Sequence, residues 1–295
     1  RPGWYGRLMT AFRSFKEIAE AEEAGQVTLF GWRKVPTQTT GSGIWFDLSM
    51  SPGNPVPNFY AAAPLASKAL AQSTDGGMFH GAAPGGTYTK HLRRIMALTV
   101  TTTAVPLPCI LCDYLLYYPF VDMSVTDEQA MTQDDTIPRY TDGAGVQIMA
   151  VLVASQIGGV SFFVNYTNSA GVAGRISSTV RCNTQTVNGT IVSTERATAG
   201  CAGPFIPLQA GDTGVRSIES CTFLTGDVGL ITLVLVKPLA SLSIFDVTAP
   251  SERDMILDGV QLPQIKDDAY LNLICYPSGT LASAQIMGTI ETVWN

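Results

Sequence analysis

An antiparallel β-sandwich or jelly-roll-like body, mainly β, with an N-terminal helix and a long Pro/Gly/Ala-rich arm, is the fold this chain predicts. Three observations carry that reading. From Lys90 onward, short apolar runs recur between turn signals such as "TNSAG", "QAGDTG", "LTGDVG" and "YPSGT". No amphipathic helix separates those runs, which disfavours a parallel βαβ sheet. The one segment with clear helical periodicity lies at the N-terminus. The expected organisation is therefore 1–89 as helix, short strands and arm, and 90–295 as the sandwich body.

In "GRLMTAFRSFKEIAEAEEAG", Leu8, Phe12, Phe15 and Ala19 recur at helical spacing, Ile18 widens the stripe and Gly25 supplies a stop. Basic residues come early and glutamates late, against the helix macrodipole, so this helix needs a docking surface: Phe12 and Phe15 either cap the chain's own sheet, the favoured reading, or dock on a neighbouring subunit. "QVTLFGW" reads as a strand, and "GIWFDLSM" alternates as a half-buried strand requires. Ser51 to Gly86 then loses periodicity, apart from one short helical piece around Leu65 to Gln72. So long a stretch is either a functional arm lying on a partner or a long surface loop, and the arm is the favoured reading. The body strands expected are Leu92–Thr103, Val146–Ala154, Gly159–Tyr166, Ile176–Cys182, Val215–Leu224, Leu230–Val236, Tyr270–Cys275 and Ile286–Trp294. Lys237 and Pro238 are expected to end a strand, with a long crossover from Ala240 to Lys266.

Of the 295 residues, 46% are hydrophobic and only 14% charged. A typical soluble domain carries about 25% charged residues, so the deficit suits a chain that spends its surface on protein contacts. The net charge of -6 argues against a broad phosphate-neutralising face. The basic cluster Lys90, His91, Arg93 and Arg94 is read as a solvated or interface edge in preference to a nucleic-acid contact. No membrane span is expected, because the longest apolar stretch, Val105 to Val121, contains three prolines and Asp113.

The stretch "DTIPRYTDGAGVQIMAVLV" gathers acids, an arginine and a tyrosine before an apolar run. Asp134, Asp135 and Asp142 lack the spacing of a calcium loop, and nothing nearby desolvates one carboxylate for acid–base work. The favoured reading is a turn: Pro138 fixes φ, Asp142-Gly143 reverses the chain and Val146 starts a buried strand. "CILC" has zinc or redox spacing but sits among bulky apolar neighbours with no second ligand pair, so buried free thiols are the favoured reading, with a metal or a disulfide as the alternatives. Two histidines without a GxSxG elbow, and no phosphate-binding loop, leave no catalytic template. No metal, cofactor or catalytic residue is expected, although motif alone leaves open a glycosidase with two carboxylates.

At "IPRYTDGAGVQIMAVL", "VNYTNSAGVAGR", "GPFIPLQAGDTGVRSI" and "ITLVLVKPL", and again at "DGVQLPQIKDDAYLNLICYPSG" and "GTIETVWN", the sequence resembles structural proteins of tailed-bacteriophage virions. The resemblance spans roughly Asp113 to Asn295. It implies a non-enzymatic building block, capsid-associated as a minor, cement or decoration protein, assembled in the bacterial cytoplasm and carried in the particle. Its partners would be capsid subunits, other virion proteins and further copies of itself, with no nucleic acid and no membrane. The contact residues expected are Phe12, Phe15 and Ile18 on the helix, and Phe59, Tyr60, Met78 and Phe79 on the arm. The alternatives are the major capsid subunit, or a receptor- or carbohydrate-binding β module.

Overall fold

The run Leu107–Asp122, apolar at most of its positions, forms the longest strand and sets the architecture. The computed structural model of the chain describes residues 12–82, 88–258 and 262–295. In order come α1 (Phe15–Glu23), β1 (Val27–Lys34), β2 (Phe46–Asp47), β3 (Gly53–Asn54), β4 (Lys68–Ala69) and α2 (Gln72–Asp75). Next are β5 (Lys90–Thr99), β6 (Leu107–Asp122), β7 (Gln129–Ala130), β8 (Gln147–Ala154), β9 (Ser161–Asn168), β10 (Arg175–Ile176) and β11 (Val180–Arg181). The last are β12 (Val215–Phe223), β13 (Leu230–Ile244), β14 (Ser251–Asp254), β15 (Tyr270–Cys275) and β16 (Ile286–Trp294).

Three antiparallel sheets form a β-sandwich-like body. The central one has the order β2-β15-β6-β13-β8, with β4 also on β6. The other two run β14-β5-β16-β1-β3 and β10-β9-β12-β7, the latter with β11 on β9. Both flanking sheets pack on one face of the central sheet, over opposite halves of β6 and β13. One core joins Leu107, Cys109, Leu111, Leu242 and Ile244 to Trp32, Leu92, Ile95, Ile286 and Ile290. The other joins Leu115, Tyr118, Ile231, Leu233 and Leu235 to Phe162, Val164, Tyr166, Val215 and Ile218. The molecule is two sandwiches sharing one wall.

That shared wall is buried on its second face too. Cys112, Tyr114, Tyr117, Met149, Val234, Val236 and Tyr270 pack there under Tyr60, Leu70 and Ile191. Strands covered on both faces read as continuous apolar runs without alternation, so β6 carries no period-two signal in the sequence. Its prolines sit where a ladder tolerates them: Pro119 lies in a register shift opposite Thr232. Pro238 likewise borders a bulge, and β13 passes through it to Ile244, beyond the expected end at Val236. The crossover expected from Ala240 to Lys266 therefore begins later and contains β14, which pairs with β5.

The segment 1–89 is interleaved with the body, since β1 pairs along its whole length with β16. "GIWFDLSM" gives only the two-residue β2 before a helical turn capped by Asp47. Around Leu65 to Gln72, a strand pair and the start of α2 replace the expected helical piece. Over its described residues 51–82, the arm expected to lie on a partner lies on the chain's own central sheet. The helix expected from residue 6 begins partly outside the described residues, and within them it starts at Phe15 behind the Ser14 cap. It buries Ile18 and Ala21, while Phe15 and Ala19 face outward, so the docked stripe is rotated from the expected one.

Asp113 lies on β6 between the two cores, opposite Lys237 of β13. The Arg139 guanidinium grips it with two hydrogen bonds, Nε to Oδ2 at 2.9 Å and Nη2 to Oδ1 at 2.7 Å. Asp113→Asn leaves Arg139 buried without its counter-charge and should lower stability by about 3–5 kcal/mol in urea unfolding. D113L/R139M, which removes both charges, should recover most of that loss.

Candidate functional site

The junction between the two sandwiches is built from the stretch "DTIPRYTDGAGVQIMAVLV". Arg139 also donates from Nη1 to Leu70 O at 3.0 Å and from Nη2 to Tyr114 O at 3.0 Å. Tyr270 N donates to Asp113 Oδ1 at 3.1 Å. Burial raises the Asp113 carboxyl above its ordinary value, and the Arg139 guanidinium opposes that shift. Asp135 accepts from Ala69 N at 2.8 Å, tying β4 to the turn, and Asp142 accepts from Ala144 N at 3.1 Å. Gly143 N closes on Tyr140 O, with φ +71° at Gly143 and +51° at Tyr140, so the chain reverses here before β8. These carboxylates position backbone; the two on the turn do not converge on a common ligand point.

Beside this junction opens a cleft of about 790 Å³. Phe12, Phe15 and Ile18 form one wall, Leu239 and Tyr140 another, and Met255, Ile256 and Leu262 a third. Lys237 stands at the base, donating to Ala144 O at 2.8 Å and lying 5.5 Å from the Tyr140 ring centroid. The Lys266 ammonium lies 5.7 Å from the same ring. Burial lowers the Lys237 ammonium, and Asp142 pulls it back up. Burial raises the Tyr140 hydroxyl well above its ordinary value, so it stays protonated and donates to Gln264 O. An apolar cleft with a cation over an aromatic ring suits an inserted side chain better than bond-making chemistry.

The structure brings three of the expected contact residues, Phe12, Phe15 and Ile18, to this cleft. Phe15 is 65% exposed, whereas Ile18 is buried against the body and Phe12 rests on the His91 ring at 5.7 Å. Of the arm residues, Phe59 is 58% and Phe79 53% exposed, while Tyr60 and Met78 are buried inside this chain. Phe79 meets Phe30 of β1 edge-on at 4.8 Å, away from the helix residues in the cleft lining. Leu257, 81% exposed next to Ile256 of the cleft wall, escaped the sequence reading because it lay in an expected crossover. Its signal was an apolar "MIL" between the charges of "SERD" and Asp258.

The remaining groups that look chemical hold the fold. Asp47 accepts from Ser49 Oγ at 2.6 Å, Tyr60 OH at 2.5 Å and Tyr114 OH at 2.7 Å, wholly enclosed. Two lysines clamp the arm. Lys34 Nζ donates to Ser51 O at 3.0 Å and Pro55 O at 2.8 Å, and burial lowers it to about 8. Lys90 Nζ donates to Gly81 O at 2.9 Å and to His80 Nδ1 at 3.0 Å. The basic cluster is thus not a solvated edge: Lys90 and His91 are buried, Arg93 pairs with Asp254 and Glu22, and Arg94 pairs with Glu291 and Glu252. Cys109 and Cys112 point to opposite faces of β6, into different cores.

The fold and this cleft define a class, a β-sandwich-like protein of three antiparallel sheets with a hydrophobic cleft beside the junction of its two halves. Compared with known proteins, the chain matches no family model and no curated protein.

Burial, reinforced by Lys90, lowers His80 to about 4, so its neutral ring donates from Nε2 to Ala269 O at 3.0 Å. The unfolded chain, with histidine near 6.5, binds the proton more readily, so stability is lost as pH falls from about 6.5 towards 4. The urea midpoint should drop across that window, from pH 6.5 to 5 already measurably, and H80Q should flatten the slope.

Proposed function

We propose that this chain is a non-enzymatic structural subunit of a phage virion, a capsid-associated minor, cement or decoration protein acting through protein–protein contacts. The virion setting rests on the resemblance over Asp113 to Asn295. The observation that supports a binding role is the cleft itself, with the exposed Phe15 in its lining and the exposed Leu257 next in the chain to its Ile256. Large apolar side chains held open on a rigid frame are the usual anchors of protein contacts. The sandwich supplies the rigidity: α1 is docked on it by the buried Ile18 and Ala21, with the Glu22–Arg93 ion pair beside them at 3.0 Å. A repeated subunit multiplies each modest contact by symmetry.

A second reading, a carbohydrate-binding module, is supported by Trp45 and Tyr276, half-buried neighbours with ring centroids 5.5 Å apart. Aromatic faces of that kind can carry sugar rings. Glycan-array binding without particle association would favour it.

Mass measurement of the purified chain by light scattering, followed by electron microscopy of any larger species, tests the subunit reading. A defined oligomer, or addition to phage heads, is expected. Phe15→Asp and Leu257→Asp should each leave the fold intact and weaken that association by about tenfold or more, the loss of one buried anchor. A chain that stays monomeric and joins no particle would count against the proposal.

A further inference from the structure

We propose that Cys109 and Cys275 are a latent cross-strand disulfide, formed when the chain folds in an oxidising medium. The two residues are register partners on β6 and β15. Tyr276 N donates to Pro108 O at 2.8 Å, which makes the neighbouring 276/108 pair the hydrogen-bonded one. Cys275 and Cys109 are therefore a non-hydrogen-bonded pair, whose Cα atoms stand about 4.5 Å apart in an antiparallel ladder. That separation falls within the roughly 4.4–6.8 Å range that disulfides span. Both side chains enter the same core, so their Cβ vectors point to one side of the sheet. Cys112, despite the "CILC" spacing, lies on the other face and is excluded as a partner.

The two thiols are now separate, each donating to a carbonyl, Cys109 to Leu107 O at 3.6 Å and Cys275 to Phe46 O at 3.7 Å. Burial pushes the Cys109 thiol up to about 12 and Cys275 well above its ordinary value, so thiolate is scarce in the folded chain. With a low-molecular-weight disulfide such as oxidised glutathione as oxidant, the chemistry balances in two exchanges. One cysteine thiolate attacks the small disulfide, expelling one glutathione thiolate and forming a mixed disulfide. The second cysteine thiolate then displaces the other glutathione. The two cysteines lose two protons and two electrons, and the oxidant becomes two thiols. The enclosed site has no room for the mixed intermediate, so exchange runs before β15 docks on β6. The bond then becomes inaccessible to reductant until the chain opens. It would staple the central sheet across a long stretch of chain.

The test is refolding of the reduced, unfolded full chain in a glutathione redox buffer and, in parallel, in excess reductant. Free thiols are then alkylated and peptides mapped by mass spectrometry. The expected result is a cross-link between the Cys109 and Cys275 peptides with Cys112 alkylated, and a thermal midpoint at least ~5 °C above that of the reduced protein. C275A should show neither the cross-link nor the rise. Folded, oxidised protein with Cys109 and Cys275 both alkylated would overturn the proposal. So would cross-linking confined to another pair, such as Cys182 with the part-exposed Cys201. Because the readout is on wild-type chain, it does not depend on the variant folding or on the virion reading.

Discussion

An ion pair buried in the middle of a strand is the constraint on which the rest of the structure depends. Asp113 interrupts β6 where one core ends and the other begins, and Arg139 reaches it from the turn before β8. A lone carboxylate there would cost several kcal/mol, and the pair offsets that because its geometry is bidentate and further hydrogen bonds surround it. Leu70 O and Tyr114 O accept two further guanidinium protons, and Tyr270 N donates to the carboxylate. One interaction thereby fixes the arm, the central sheet and the turn in a single register. The cleft owes its shape to the same junction, because Tyr140 follows Arg139 directly and Lys237 faces Asp113 across the ladder.

The arm shows a second use of buried charge. An extended segment has backbone carbonyls with no strand to receive them, and here two lysines supply the donors, Lys34 at its start and Lys90 at its end. Desolvation lowers both ammonium groups, and the charges of Asp47 and Asp267 pull Lys34 and Lys90 respectively back up. The consequence for function is that the arm belongs to the body. Contacts with other molecules fall to the side chains it leaves outside, Phe59 and Phe79, and to Phe15 in the cleft lining and Leu257 next to its Ile256.

The sequence made the fold class and the strands with alternating or turn-bounded runs legible. β5, β8, β9, β12, β15 and β16 lie within a few residues of their expected positions, although the β10 and β11 region holds two short bridges where one strand was expected. It did not reveal β6, because a strand buried on both faces shows no period, and it misjudged Pro238, because a bulge absorbs the missing N–H. Of the expected contact residues, Phe15, Phe59 and Phe79 present surface, whereas Ile18, Tyr60 and Met78 are buried within the chain, a distinction that apolar composition cannot make. The Asp113–Arg139 pair joins residues far apart along the fold, and its only trace was a lone carboxylate inside an apolar run.

The central claim is that two sandwiches sharing β6 and β13 behave as one rigid body, so that the cleft beside their junction is a fixed feature. Native-state hydrogen exchange along these two strands tests it most directly. The account predicts that amides on both sides of Asp113, those of Leu111 and Tyr118 among them, open with the same free energy and the same urea dependence. Two distinct opening free energies, divided at Asp113, would contradict it and would make the cleft a hinge between independent units.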